Sequence, residues 1–382
     1  MNNMKKILIP LLVFLFLSFS LFAQQKKNDN YNHIDADNPK IKYTGRIDFS
    51  NPKAPRFAWS GVSIKAAFEG PHCQILLHNY SSGTDADGQP NTNYYNLIID
   101  NKRIQVLKCN KEGKQIYDIE LLSDSMHTIE IFKRTEAFLG DSDFRGFILA
   151  KGKNLIDLPK SAVHVRRMEF IGNSITCGYG NEGANKECRF SAATENNYMA
   201  YGAITARNLN AEYVAVPFSG KGLTRNYDES TDEIMPELYD RIFATNPGIK
   251  WDFKKYTPDI VVINIGTNDF AKSNPDSVKF VKAYIKFIER IRSNYSNAHI
   301  VCLSGPMMSD YWPEGVKALT TIQNYLKSVI GQVNEKGDKK VYSFSLSAQG
   351  SLGYGCDWHP NIAQHKKNAG ELTAFIKEKV GW

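Results

Sequence analysis

The chain has 382 residues, with 47 Lys and Arg against 40 Asp and Glu and a formal net charge of +7. That length suits two domains of ordinary size, and the basic residues are scattered rather than gathered into the stripe that nucleic-acid binding needs. Six cysteines in so long a chain do not make a disulfide scaffold, and no CxxC or His-rich spacing marks a zinc site, so neither a metal nor a cofactor is expected.

Residues 1–23 read as an export signal. Lys5 and Lys6 precede an apolar run from Ile7 to Phe22, and Ala23 offers a cleavage point. The run is about 16 residues long and holds Pro10, short for a membrane span, so an uncleaved anchor ranks second and no span is expected after cleavage. No cysteine follows that would take a lipid. A secreted or periplasmic protein is expected. Residues 24–39 are polar and are expected to form a linker or loose arm.

Residues 40–160 carry short alternating segments separated by turn signals. Val62, Ile64, Ala66 and Phe68 alternate with smaller or polar residues, and further candidates cover 73–78, 94–99, 103–107, 115–121, 127–133 and 144–149. This pattern predicts a β-sandwich or jelly roll. From residue 161 to 382 the pattern changes. Apolar strands at 168–171, 213–216, 260–265, 300–303 and 341–344 alternate with helical periodicity. Helices are expected at 198–209, along a face of Val278, Val281, Ile285 and Ile288, along a face of Leu319, Ile322, Leu326 and Val329, and at 371–380. Fully apolar strands between helices predict a parallel sheet covered on both faces. Sites in such sheets lie at the carboxyl ends of the strands.

Three islands fall there. Met168 to Ile171 runs into Gly172-Asn173-Ser174, which lifts a hydroxyl onto a tight turn. Asp259 to Ile265 runs into Gly266-Thr267-Asn268-Asp269. Asp357-Trp358-His359-Pro360 follows a glycine-rich loop near the C-terminus. A serine hydroxyl needs an adjacent base to act as a nucleophile. Ser174 is the candidate nucleophile and His359 the candidate base, with Asp357 placed to orient the imidazole. The amides of Ser174 and of Gly220 (in Pro217-Phe-Ser-Gly220) and the side chain of Asn268 are candidates for an oxyanion hole. Plainer readings stand beside each: Ser174 as a helix N-cap, Asp357 as a loop acceptor, Asn268 as an Asx-turn and Gly220 as a turn glycine. His365, six residues beyond His359, is expected to be solvated. Candidate disulfides are Cys177–Cys188 and Cys73–Cys109, with Cys302 a free thiol in the core.

Together these islands resemble the blocks of the SGNH (GDSL-like) hydrolases, with Ser174, Gly220, Asn268 and His359 in the four positions. Asn173 stands where the family usually has Asp. With Tyr43-Thr-Gly-Arg46 and Phe57-Ala-Trp-Ser-Gly61 in the first domain, the chain resembles carbohydrate esterase family two. The resemblance implies a flavodoxin-like three-layer α/β/α hydrolase domain behind an all-β jelly roll. It implies a serine esterase that removes O-acetyl groups from an acetylated plant polysaccharide or oligosaccharide through an acetyl-serine. Asp357 and His359 are two residues apart rather than three, a spacing found where a backbone carbonyl orients the ring in a Ser–His dyad. Trp358 is assigned to the wall of a small acyl pocket, and Tyr311 and Trp312 to stacking on a sugar ring; each reads equally well as packing. The alternatives are an esterase of the same fold acting on another O-acylated glycan or a lipid, and an inactive carbohydrate-binding protein.

Overall fold

The computed structural model describes residues 30–81, 83–85, 88–109, 113–159 and 165–382. The expected export signal and the expected boundary at 160/161 lie outside the described residues.

The first domain is built from β1 (Tyr31–Ile34), β2 (Lys42–Thr44), β3 (Arg56–Phe57), β4 (Ser63–Glu69), β5 (Cys73–Ser81), β6 (Tyr94–Ile99), β7 (Arg103–Lys108), β8 (Gly113–Asp118), β9 (Met126–Lys133), β10 (Gly140–Ala150) and β11 (Leu155–Ile156). They form two antiparallel sheets. One runs β1-β10-β5-β8 with β3 on β10, the other β11-β4-β9-β6-β7 with β2 on β4. Between them lies an apolar core that includes Ile64, Ala66, Phe68, Ile75, Leu77, Leu97, Phe144 and Phe147. Residues 31–34, expected in a loose arm, instead form β1, with Tyr31 opposite Ala150 and Ile34 opposite Phe147. The alternation Tyr-Asn-His-Ile buries Ile34 and lets the strand pair despite its polar neighbours. The first domain is therefore a jelly-roll sandwich that begins earlier than its composition suggests.

The second domain holds β12 (Arg166–Gly172), β13 (Ala211–Pro217), β14 (Arg241–Phe243), β15 (Asn246–Lys250), β16 (Ile260–Asn264), β17 (His299–Ser304) and β18 (Val341–Ser345). Its helices are α1 (Ser174–Cys177), α2 (Tyr201–Asn208), α3 (Met235–Leu238), α4 (Ser277–Asn294), α5 (Ala318–Glu335) and α6 (Ile362–Val380). Five strands pair in parallel in the order β13-β12-β16-β17-β18, the flavodoxin-like arrangement. Side chains alternate across the sheet. Ile260 and Val262 pack with α2 and α6, while Val261 and Ile263 pack with α4 and α5. The result is an α/β/α sandwich whose chain order reverses between β12 and β16.

The helices differ from expectation in detail. On α4 the buried face is Phe280, Tyr284, Ile285, Phe287, Ile288 and Ile291, and Val278 is 58% exposed. The aromatics Phe280 and Tyr284, with Ile291, set that face. Helix α6 begins nine residues before 371, capped by Asn361, whose Oδ1 accepts from Gln364 N at 3.0 Å. Gln364, His365 and Asn368 are buried polar residues on its first turns, which hides the helix from an apolar pattern.

The two domains share apolar contacts. Ile98 and Phe132 of the six-stranded sheet join the cluster around Phe170, Tyr201 and Tyr213. Between the domains, Arg46 is fully buried, donates to Glu169 Oε1 at 3.1 Å and to Arg241 O at 3.2 Å, and also bonds the Tyr239 carbonyl.

Candidate active site

Strand β12 delivers the serine. A Cβ on Gly172 would meet Thr176 Oγ1 at 2.0 Å, so only glycine lets the chain turn at once from strand into α1. Asn173 caps α1, its Oδ1 accepting from Ile175 N at 3.1 Å. Ser174 is thus the first helical residue and not the cap. Its amide is among the N–H groups that an α-helix leaves without an internal acceptor.

The His359 loop meets it across 185 residues of sequence. Ser174 Oγ and His359 Nε2 are 2.8 Å apart. His359 Nδ1 lies 3.0 Å from the backbone oxygen of Asp357, so Nδ1 carries the proton and Nε2 accepts from the serine hydroxyl. Burial holds the pKa of the imidazole down, to about 4. The ring of Tyr179 stacks on it, centroids 4.1 Å apart.

The Asp357 carboxylate does not hold the imidazole. Its Oδ2 accepts from Tyr179 Oη at 2.8 Å and from Phe190 N at 2.9 Å. The role assigned to Asp357 as orienter passes from its side chain to its carbonyl, because the backbone at Asp357 and Trp358 has positive φ (47° and 60°). That turn aims the peptide oxygen at the ring and the carboxylate at the neighbouring loop. The loop is also tied by a disulfide, Cys188–Cys356. This corrects both expected pairings: Cys73, Cys109 and Cys177 are free and buried, as is Cys302.

The remaining two blocks lie beside the serine. Gly172 is in register with Pro217 of β13 and Asn264 of β16. Phe218 N donates to Gly172 O at 3.1 Å. Gly220 adopts φ +77°, and nothing lies within 4 Å of where its Cβ would stand, which leaves that face of the loop open. Asn268 Nδ2 donates to Lys221 O at 2.8 Å, which uses one of its two N–H bonds and couples it to the Gly220 loop.

Asp269 is a site residue that the sequence reading passed over. Its carboxylate accepts from Leu223 N, Thr224 N and Thr224 Oγ1 at 2.7–2.8 Å, and so clamps the loop that follows Gly220. It stood next to Asn268 in the third island, the one signal for it. Tyr179, five residues after Ser174, gave no signal of its contact with His359.

The assigned substrate residues are solvent-facing. Tyr311 is 90%, Trp312 73% and Trp358 51% exposed. Tyr311 and Trp312 follow the carboxyl end of β17, the end of the sheet from which Ser174 and Asn268 also depart. Trp358 meets Tyr354 edge-on at 5.2 Å and carries Lys186 Nζ 4.1 Å over its ring. His365, expected in solvent, is buried, and its Nδ1 accepts from Tyr201 N at 3.1 Å.

A hydroxyl on a tight turn, hydrogen-bonded to a neutral imidazole at the carboxyl edge of a parallel sheet, is the arrangement of a serine hydrolase. Family comparison agrees with it. A model described as "GDSL-like Lipase/Acylhydrolase family" matches residues 170–367, and one described as "Carbohydrate esterase 2 N-terminal" matches residues 43–159. A family two carbohydrate esterase from Clostridium thermocellum, solved in complex with cellohexaose, is 40% identical, with a TM-score of 0.80 over 90% of this chain and 99% of that one. The "Cellulase/esterase CelE" of Acetivibrio thermocellus is 43% identical over 91% of this chain, which spans only 40% of that larger protein. An "Acetylxylan esterase / glucomannan deacetylase" of Cellvibrio japonicus is 28% identical over 98% of both chains. The chain belongs to carbohydrate esterase family two, and is thus a carboxylic ester hydrolase.

Proposed function

We propose that the protein is a secreted esterase that removes O-acetyl groups from a polysaccharide such as xylan or glucomannan, with Ser174 as nucleophile and His359 as general base. The observation that carries this is the 2.8 Å contact between Ser174 Oγ and His359 Nε2, with Nδ1 held by the Asp357 carbonyl. The activities for which the relatives are named support the acetyl group and the glycan class, and the apolar run at residues 7–22 supports export.

In the acylation step His359 Nε2 takes the proton of Ser174 as Oγ bonds to the acetyl carbon. The carbonyl oxygen gains the electron pair and faces the amides of Ser174 and Gly220 and the free N–H of Asn268. When the tetrahedral adduct collapses, the bond to the sugar oxygen breaks and the imidazolium returns its proton to that oxygen. The sugar leaves with a free hydroxyl, and the acetyl group remains on Ser174 Oγ as an ester, to be released as acetate in the next step. Water then repeats the sequence, giving its proton to His359 and its oxygen to the acetyl carbon, and Ser174 recovers its own. Tyr311 and Trp312 provide the exposed aromatic faces on which sugar rings stack, and Trp358 walls the acyl pocket.

Acetate release from acetylated xylan and acetylated glucomannan tests this reading. Release from one or both, with p-nitrophenyl acetate cleaved faster than the butyrate and octanoate esters, is expected. Faster cleavage of octanoate would move the substrate to lipids. Binding of cellohexaose without release of acetate from any ester would favour a carbohydrate-binding protein.

A further inference from the structure

Directly after β9 the first domain sends the segment 134–139 toward the hydrolase site. Phe138 packs against Phe218 and Phe190, centroids 6.2 and 5.6 Å apart. Glu136 is fully buried there. Its Oε2 accepts from Ser219 N at 2.8 Å and its Oε1 from Ser219 Oγ at 2.5 Å. Ser219 immediately precedes Gly220. No other hydrogen bond described for the Gly220 loop comes from outside the hydrolase domain: Phe218 N is held by Gly172 O, Gly220 O by Tyr227 N, and Lys221 O by Asn268.

We propose that Glu136 is a positioning residue of the esterase: anchored in the β-domain, it grips Ser219 at both N–H and hydroxyl and thereby fixes the Gly220 amide in the oxyanion hole. The proposal rests on the esterase reading for the role of Gly220. It gives the β-domain a part in the reaction beyond any contact with glycan.

The surroundings of Glu136 are built to keep it there. Glu195, also fully buried, accepts from Glu136 N at 2.9 Å through Oε2, and its Oε1 has no donor among the described residues. One ligand atom from each of Glu136, Glu195 and Cys177 lies within 4.8 Å of the others. Two carboxylates so placed in a dry interior cannot both be ionised, and burial raises the pKa of each. Burial, followed by the charges of the same two carboxylates, keeps Cys177 a thiol. The facing cation is Lys133, whose Nζ donates to Thr135 O at 2.7 Å and to Glu136 O at 3.3 Å, with its own pKa lowered by burial to about 8. Arg134 donates to the Glu195 carbonyl at 3.2 Å and pairs with Glu182, and Asp141, which also acts on Lys133, pairs with Arg56 at 2.9 Å. One positive charge on Lys133 and one shared proton between two carboxyls leave the cluster neutral. Glu136, both of whose carboxylate oxygens accept from Ser219, is the one set up to carry the negative charge.

The experiment compares Glu136→Ala and Glu136→Gln in the full chain. It reads amide hydrogen exchange over residues 217–222, kcat and KM on p-nitrophenyl acetate, and the thermal midpoint. In Glu136→Ala the exchange of that segment rises by about tenfold or more, and kcat falls about 10- to 100-fold with KM within about threefold. Glutamine keeps a carbonyl for Ser219 N and turns its amide N–H toward Ser219 Oγ, which can accept it, so Glu136→Gln recovers both readouts to within about threefold of wild type. If Glu136→Ala does not fold, Glu136→Asp, which keeps a buried carboxyl beside Lys133 but falls short of Ser219, takes its place with the same expected result. Unchanged exchange would overturn the anchor whether or not the chain cleaves esters, which separates this failure from failure of the esterase reading. Raised exchange with unchanged kcat would leave a tether without a catalytic role and would equally end the proposal. A metal ion that stays with the wild type through chelator dialysis and is lost in Glu136→Ala would replace the shared proton with a cation and contradict the charge balance.

Discussion

At His359 one ring nitrogen faces a serine hydroxyl and the other a peptide carbonyl, and each partner has a different consequence. A carbonyl fixes the tautomer and ring plane but adds no charge to stabilise an imidazolium. Where a carboxylate holds the ring, its loss costs about 10⁴ in kcat. Here Asp357→Asn keeps an acceptor for Tyr179 Oη and Phe190 N, so kcat is expected to fall by less than about tenfold; a loss near 10⁴ in steady-state assays would return the orienting role to the carboxylate. The depressed imidazole pKa shifts the acid limb of the pH profile. The base works while neutral, so kcat/KM is expected to hold at pH 6, below the ordinary histidine value of about 6.5, and to fall only as pH approaches the lowered value of about 4. A limb centred above 6.5 would contradict this. Ser174, Gly220 and Asn268 were legible because each falls just past an apolar strand, and His359 because it lies on a glycine-rich loop rather than on an apolar helix face. The orientation of Asp357 was not, because it depends on a positive φ at a non-glycine residue, which no local pattern announces.

Helix α6 carries a fully buried imidazole. His365 accepts from Tyr201 N at the start of α2, and burial lowers its pKa to about 3. Because the folded value lies below the unfolded one of about 6.5, its contribution to stability is full above that pH. It is lost as pH falls toward the folded value. His359 contributes in the same direction. Denaturant titrations at pH 7, 6, 5 and 4 are therefore expected to show stability falling more steeply in the wild type than in His365→Gln, which cannot take up the proton; parallel curves would place the acid sensitivity elsewhere. The same helix shows why some elements escaped the sequence. The five parallel strands announce themselves as apolar runs, and α5 by Ile322, Leu326 and Val329 on one face. The first turns of α6 bury Gln364, His365 and Asn368 instead, so periodicity finds only the second half. Strand β1 is short and polar and was hidden for the same reason. The disulfide joins cysteines 168 residues apart, and a separation of that order leaves no trace in local spacing.

Across the two domains the chain behaves as one packed body. Arg46, from the sandwich, is buried against Glu169 in the middle of β12, and Tyr239 Oη donates to the other carboxylate oxygen at 2.9 Å. Removing one partner of such a pair leaves an uncompensated buried charge and costs about 3–5 kcal/mol. Arg46→Met is expected to lower stability by that amount in urea unfolding, while both domains continue to melt in a single calorimetric transition; a second, lower transition would mean that the domains are coupled less tightly than the shared apolar cluster implies. That two domains were present, and of which kinds, was readable from the change in period near residue 162. That the sandwich reaches into the hydrolase site through Glu136 and Phe138 was not, since nothing in that segment distinguishes it from a turn between strands. The most direct measurement is acetate release from acetylated xylan and glucomannan by the wild type, Ser174→Ala and His359→Ala, at matched circular dichroism. Release by the wild type, with loss of at least about 10³-fold in each variant, is expected. Release that survives Ser174→Ala would contradict the nucleophile, and with it the mechanism built on the 2.8 Å contact.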